Sequence, residues 1–281
     1  MKVSEYRQNM RDKVAKAARE IDADTQSALD TAGDRAEVGN LIAIINDNGA
    51  SALKKGAAID ALNTISNFSP LLRARMPEIV NALRGHMDSG EQDLRERALG
   101  TLTAMKDEVA QERLVAEIVA DKPEAEKLLP TAKSIAMLGR DEKSLPLAVL
   151  RQVISNPPDD ACLIEALRHL PSEPEAFGAL RAVMENDDAP LEARAMIPEM
   201  ACEMDAPAFV SAARDLLKSK GAEHELAPFL AKGVAGANSA EAAEEVRAAK
   251  AEISALAEAA PEAFKSAAAA LLANEDPPSD P

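Results

Sequence analysis

The chain has few aromatic residues. Its 281 residues include no Trp, one Tyr and five Phe, so alanine and leucine must supply most of the apolar surface. β-Branched runs bounded by turn residues are also missing, which argues against a sheet-rich fold. Ala, Leu, Glu, Lys and Arg all favour helices. The composition therefore predicts an all-helical protein whose small side chains let helices approach closely.

Cysteines and long apolar runs are scarce as well. Cys162 and Cys202 are too few for a disulfide framework, which favours a reducing compartment. The charged segment at residues 1–21 lacks the apolar stretch of a signal peptide. The longest apolar runs, at 41–45 and 267–273, are too short to cross a membrane. We therefore expect a cytoplasmic protein.

Positive charge is in deficit. The chain has 32 Lys and Arg against 48 Asp and Glu, a formal net charge of −16. Non-specific binding to nucleic acid or to an anionic membrane needs a positive field. Neither nucleic acid nor a membrane is therefore predicted as a partner, although a local basic stripe remains compatible with an acidic whole.

A helical hairpin recurs along the chain. We mark each copy by the turn between its first helix (A) and its second helix (B). The intervals between successive turn markers are 40, 34, 32, 32 and 32 residues. The markers are Asn67, Asp107, Asp141, Glu173, Asp205 and Ala237. Both sets of helices place apolar residues at helical spacing, and such a hairpin buries its apolar face only by stacking on its neighbours.

This regularity predicts the fold class and its divisions. We expect an all-α, right-handed α-solenoid of about six stacked hairpins with helical caps. The predicted segments are an N-terminal helical cap, the repeat array, a C-terminal capping helix and a disordered acidic, proline-containing tail. Their respective ranges are 1–35, 36–258, 259–274 and 275–281.

The stretches at 79–105 and 180–204 resemble HEAT repeats, in which an apolar B helix and a short Asp-bearing loop precede an A helix with a basic residue near its start. Arg95, Arg97 and Arg194 match that basic position. The resemblance implies prolines inside A helices, matched by Pro130, Pro198 and Pro228, and a turn aspartate, matched by Asp107, Asp141 and Asp205. Armadillo-like arrays remain an alternative. HEAT proteins mostly act as scaffolds for other proteins, although the fold alone does not fix a function.

Each B helix carries an arginine at a similar number of residues after its turn marker. Two lysines lie one helical turn further along the chain and extend this set. These residues are Arg75, Arg113, Arg151, Arg181, Arg214, Arg247, Lys218 and Lys250. One interpretation is a basic stripe on the B-helix face that binds an acidic or phosphorylated segment. The other is a ladder in which a turn aspartate bonds a following basic residue between repeats, as Asp107 and Arg113 are spaced to do.

The sequence carries no pattern that predicts catalysis. No His or Cys pair has zinc-ligand spacing, and no phosphate-binding or nucleophile-elbow motif occurs. We therefore predict no enzyme, no catalytic residue, no metal and no cofactor, and expect a scaffold that binds a protein or peptide. Two alternatives stay open: an accessory subunit or enzyme of the HEAT-like chromophore-lyase type, and a self-assembling homo-oligomer.

Overall fold

The helices predicted from apolar spacing are present in the computed structural model, which describes residues 35–66, 75–141, 144–237 and 240–273. Over these ranges the chain forms α-helices, short turns and 3₁₀ turns, and no strand. The all-helical prediction is confirmed. The predicted N-terminal cap up to residue 34 and the predicted tail at 275–281 lie outside the described residues.

The chain divides into two compact units, Met1–Ser144 and Leu145–Pro281. The first unit contains six described helices. They are α1 (Arg35–Asn46), α2 (Ala52–Ser66), α3 (Met76–Arg84), α4 (Gln92–Ala104), α5 (Glu108–Val119) and α6 (Thr131–Leu138). The predicted A helices of this unit are therefore α2, α4 and α6, and its B helices are α3 and α5.

The second unit contains eight described helices. They are α7 (Leu147–Ser155), α8 (Asp160–Arg168), α9 (Phe177–Glu185), α10 (Leu191–Met204), α11 (Ala206–Lys220), α12 (Ala227–Gly236), α13 (Ala243–Ala257) and α14 (Glu262–Ala273). The predicted A helices here are α8, α10 and α12, and the B helices are α7, α9, α11 and α13. The last helix, α14, falls inside the range predicted for a C-terminal capping helix.

Within each unit, helices pack on their sequence neighbours and on helices two places along the chain. In the first unit α2 packs on α4 and α4 on α6, while α1 packs on α3. In the second unit α8, α10, α12 and α14 pack in succession, and α7 packs on α9 and α11 on α13. Consecutive A helices therefore contact one another within each unit, and in the second unit the B helices contact in two pairs, α7 with α9 and α11 with α13.

The core of each unit consists of apolar stripes at helical spacing. In α4, Leu94, Ala98 and Leu102 are buried at intervals of four residues, and in α10 Ala193 and Ile197 follow the same spacing. Such residues lie on one helix face. Each fully buried leucine contributes about 1.5–3 kcal/mol, so these stripes supply the main stabilisation of the packed helices.

Aspartates cap several helices at their N-termini. In each cap the carboxylate accepts a hydrogen bond from a backbone N–H in the first turn, which satisfies a donor that has no partner within the helix. The pairs are Asp107 with Ala110 (3.0 Å), Asp159 with Cys162 (2.7 Å) and Asp205 with Ala208 (3.0 Å). Two of these aspartates, Asp107 and Asp205, are turn markers of the predicted repeat, so the turn residue also starts the B helix.

Prolines mostly occupy helix starts. Pro174 and Pro207 lie in first turns, where a missing N–H has no cost. Of the three prolines expected inside A helices, only Pro198 has an interior position. Pro130 precedes α6 as its N-terminal flanking residue, and Pro228 lies in the first turn of α12. That expectation was wrong for Pro130, because its fixed φ suits the boundary of a helix better than its interior.

Candidate functional site

Two members of the predicted basic stripe form ion pairs within their own segment of chain. Arg75 precedes α3 and pairs with Glu78 at 2.7 Å, and Arg181 pairs with Glu185 in α9 at 2.7 Å. The Arg75 hydrogen bond lowers the pKa of the Glu78 carboxyl. Pairs three or four residues apart on an exposed helix stabilise it only slightly. These two guanidinium groups are therefore partly neutralised locally.

Other members of the stripe join neighbouring segments. On α11, Arg214 donates two hydrogen bonds to the Glu252 carboxylate of α13, at 3.2 and 2.6 Å, and Lys218 pairs with the same carboxylate at 2.9 Å. The hydrogen bond from Arg214 lowers the pKa of Glu252 to about 2. Arg113 on α5 pairs with Asp88, which follows α3, at 3.0 Å. These contacts link one B helix to the region of the next.

The remaining three stripe residues lie on α7 and α13. Arg151 is exposed on α7 and forms no ion pair with any residue that the structure describes. On α13, Arg247 is exposed and Lys250 is half-buried. The stripe is therefore not uniform: Arg214 joins two helices, while Arg151 is accessible to an external anion.

The turn aspartate Asp107 does form a ladder contact, but with a different partner from the expected Arg113. Arg84, the last residue of α3, donates from Nε and Nη2 to the two carboxylate oxygens of Asp107 at 3.2 and 2.6 Å. Asp107 is buried, and its hydrogen bond raises the pKa of Arg84. The expected pairing was wrong because a basic residue at the end of the preceding B helix reaches the carboxylate, which also caps α5.

A second set of ion pairs joins consecutive A helices. Each pair has one partner on each of two packed helices, so it bridges neighbouring hairpins. The pairs are Asp60 with Arg97 (α2 to α4), Glu96 with Lys133 at 2.5 Å (α4 to α6) and Arg168 with Glu192 at 3.3 Å (α8 to α10). Arg97, which the HEAT resemblance singled out, therefore contacts the preceding A helix. Exposed pairs of this kind each contribute little, about 0–1 kcal/mol.

Two further arginines from that resemblance hold connecting segments through backbone carbonyls. Arg95 in α4 donates to the carbonyls of Ser89 at 2.5 Å and Leu128 at 2.6 Å. Arg194 holds the same place in α10: it donates to the Ala189 carbonyl at 3.0 Å. Both residues are the fourth of their helix, which explains why each reaches back to the loop that enters the helix.

Arg194 makes further contacts in the second unit. Its side chain is 1% exposed, and Nη2 donates to the Glu225 carboxylate in the segment that precedes α12. Nη1 has no hydrogen bond and lies 3.5 Å from an oxygen of Asp187. The Asp187 carboxylate also accepts from Lys220 and contacts His224 at 3.2 Å. The arginine therefore joins the loop before its own helix to the next hairpin.

The first unit has an open cleft beside its B helices. The cleft has a volume of about 510 Å³ and lies between α3 and the start of α5. These two B helices are not among the closely packed pairs of described helices. The apolar lining side chains include Met76, Val80, Met105 and Val109. The charged lining residues are Arg84, Lys106, Asp107 and Glu108, of which Arg84 pairs with Asp107 and Lys106 pairs with Asp141 at 3.1 Å. Val109 is 43% exposed although it is apolar.

Nothing in the sequence patterns singled out this cleft. Met76, Val80 and Val109 have ordinary apolar positions on helices, and within the described part of the chain the separation of α3 from α5 leaves them partly uncovered. The methionine side chains suit such a surface because they are flexible and polarisable.

No family model matches the chain, and no curated protein matches it. Within the described ranges, no three His, Cys, Asp or Glu residues are grouped so that they would hold a metal ion. None of the described helices is long and apolar enough to cross a membrane.

Proposed function

We propose that the chain is a HEAT-like α-solenoid that binds a protein or peptide partner along its B-helix side and catalyses no reaction. The single observation that carries this proposal is the cleft between α3 and α5. It leaves methionine and valine side chains partly uncovered beside two basic and two acidic residues, Arg84, Lys106, Asp107 and Glu108. Such a surface suits a partner segment that presents apolar residues.

The packing within each unit supports the repeat character of this proposal. Consecutive A helices contact each other, and the inter-helix pairs of Arg97, Lys133 and Arg168 recur at that contact. Stacked hairpins expose long helix faces, which suit extended or helical partners better than small molecules. Cys162 and Cys202 are not joined in a disulfide, which agrees with the proposed cytoplasmic location.

The experiment is a quantitative affinity capture from lysate of the cells that produce the chain. The test variant is Val109→Asp, and the matched control is Leu53→Asp. Both residues are exposed and are the second residue of a helix, at 43% and 56% exposure. An aspartate near a helix N-terminus is favourable, so we expect both variants to remain as helical as the wild type by circular dichroism.

We expect Val109→Asp to lose the captured partner and Leu53→Asp to retain it, because only Val109 lines the cleft. Truncating or charging a central interface residue weakens binding by about tenfold or more. Equal capture by the two folded variants would contradict the proposed site.

The arginine stripe is tested separately in the second unit with Arg151→Glu and Arg181→Glu. These two residues are exposed, whereas Arg214 bridges two helices through Glu252. We expect the double variant to melt like the wild type, since its only ion pair with a described residue is the exposed contact to Glu185. If it also retains every captured protein, these two arginines do not form part of a binding surface.

A further inference from the structure

A groove of about 310 Å³ lies between the A helices α10 and α12 of the second unit. Its lining is mostly apolar or small. The residues of this lining are Ala195, Pro198, Cys202, Phe229, Gly233 and Gly236, with Glu199, Glu203 and Lys232 among them. Phe229 is 38% exposed. An uncovered aromatic ring beside a concave apolar surface is typical of a contact site.

Missing side chains on α12 create this groove. A Cβ at Gly233 would lie 2.7 Å from Cζ of Phe209 and 2.9 Å from Cβ of Pro198, so α12 packs closely against its neighbours there. One turn later, a Cβ at Gly236 would meet no atom within 4 Å. The glycines therefore bring the two helices together and leave open space above the contact.

The exposed face of α10 continues the apolar surface. Leu191 is 37% exposed and lies one helical turn before Ala195. Residues four apart share a helix face, and Cys202 lies two turns after Ala195. The surface is therefore an elongated strip and not a single isolated hole.

The charge around the groove is mainly acidic. Glu199 and Glu203 are exposed on the α10 side, against the single cation Lys232 on α12. The whole chain has a formal charge of −16. A second copy of the chain carries the same excess of negative charge and is repelled, whereas a basic segment is attracted and guided to the groove.

We propose that this groove binds an amphipathic segment of a partner protein in which an apolar anchor residue is flanked by lysine or arginine. The anchor packs beside Phe229 and above Gly236, and the flanking cations lie near Glu199 and Glu203. The volume is at the lower end of the range for ligand sites, which fits anchor side chains at helical spacing. This site is independent of the cleft between α3 and α5 and of any partner bound there.

Cys202 provides a reporter inside the groove. The chain has two cysteines, and the other one, Cys162, is buried in α8. Burial raises the pKa of the Cys202 thiol, and the neighbouring Glu203 carboxylate raises it further. Because the thiolate is the reactive form, alkylation by iodoacetamide is slow at neutral pH and is best followed at alkaline pH. Cys162 then serves as an internal control for unfolding.

The test measures the rate of Cys202 alkylation in the full chain with three short helical peptides. The first has leucines at intervals of three and four residues and lysines between them, so that one helix face is apolar. The second replaces its lysines with glutamates, and the third replaces its leucines with serines. We expect only the leucine–lysine peptide to slow the reaction, by about tenfold at saturation, while Cys162 stays unreactive. Unchanged reactivity with that peptide, or equal protection by the serine–lysine peptide, overturns the proposal.

A matched pair of variants tests the position of the peptide by fluorescence anisotropy. Gly236→Trp fills the groove, and Gly178→Trp adds the same side chain on α9, where a Cβ also meets no atom within 4 Å. We expect the first variant to weaken peptide binding by about tenfold and the second to change it by less than about twofold. If Gly236→Trp melts like the wild type and binds as tightly, the peptide does not occupy the groove.

A second pair separates the rim charges from the general acidity of the chain. Glu199→Gln with Glu203→Gln removes two charges at the groove, and Glu175→Gln with Glu244→Gln removes two exposed charges elsewhere in the same unit. Rim charges contribute modestly, so we expect about a threefold loss of affinity for the first pair alone. Equal losses for both pairs would mean that net charge, and not the groove, attracts the peptide.

Discussion

Arg194 is the residue whose removal tests the packing of the second unit most sharply. Its side chain is 1% exposed and donates to the Ala189 carbonyl and to the Glu225 carboxylate. These contacts tie the loop that enters α10 to the segment that enters α12. We therefore predict that Arg194→Met weakens the attachment between two consecutive hairpins.

The expected loss of stability follows from two opposing effects. Each hydrogen bond that involves a charged group contributes about 1.5–3 kcal/mol, and the substitution removes two of them. Methionine retains much of the apolar packing of the arginine stem, and it also removes the cost of holding a guanidinium group out of water. That cost is not fully offset in the wild type, because Nη1 has no hydrogen bond. We expect a net loss of about 2 kcal/mol in the free energy of unfolding.

The assay is urea unfolding followed by far-ultraviolet circular dichroism. Arg181→Met is the matched control, because Arg181 is exposed and pairs only within α9 among the described residues. Its loss should be about 0.5 kcal/mol or less. Arg194→Ala should cost about 2 kcal/mol more than Arg194→Met, since it leaves a cavity. If Arg194→Met is no less stable than Arg181→Met, the buried arginine does not hold the hairpins together.

Three further predictions concern other parts of the fold. Gly233→Ala should destabilise the protein by about 1–2 kcal/mol in a urea titration, because overpacking outweighs the gain in helix propensity, whereas Gly236→Ala should be neutral or stabilising. Asp107→Ala should cost more than the about 1–2 kcal/mol of the lost cap in the same titration, because it also removes the pair with Arg84, and Asp107→Asn should restore part of the loss. The pKa of Glu252 falls from 4.5 to about 2 beside Arg214. Its contribution is therefore present above about pH 4.5 and is lost as the pH falls towards about 2, so the melting temperature of Glu252→Gln should depend less on pH over that window than that of the wild type.

The sequence predicts helices and turns well here because both depend on local chemistry. The turn residues Asp107 and Asp205 cap the helices that follow them, and Glu173 directly precedes the 3₁₀ turn at Pro174–Ala176. Apolar spacing places α4 and α10 correctly because the same residues that form the stripe are buried. The predicted stacking into a right-handed solenoid depends on how hairpins are arranged beyond these local rules, and it stays a prediction.

Ion pairs between helices are harder to predict, because they depend on how each helix is rotated against its neighbour. Asp107 has Arg113 at a suitable spacing in the chain, yet Arg84 is the residue that reaches it. Arg113 pairs with Asp88 instead. A similar number of residues between turn and arginine therefore identifies a set of cations, but it does not identify the acidic residues with which they pair.

The two concave surfaces could not be predicted for a related reason. The groove of the second unit depends on Gly233 and Gly236 facing α10, and their spacing alone is common in helices. The cleft of the first unit depends on a separation between α3 and α5. Each surface is the open space between two helices. Its presence depends on how those helices pack, and no single stretch of sequence predicts that packing.

The most direct test of the proposed function is hydrogen–deuterium exchange of the full chain with and without its captured partner. Partner binding on the B-helix side should slow exchange in α3 and at the start of α5, at residues 76–84 and 108–112, while α2 and α4 change little. Slower exchange confined to A helices, or no change in any B helix at saturating partner, would contradict a scaffold that binds along its B-helix side.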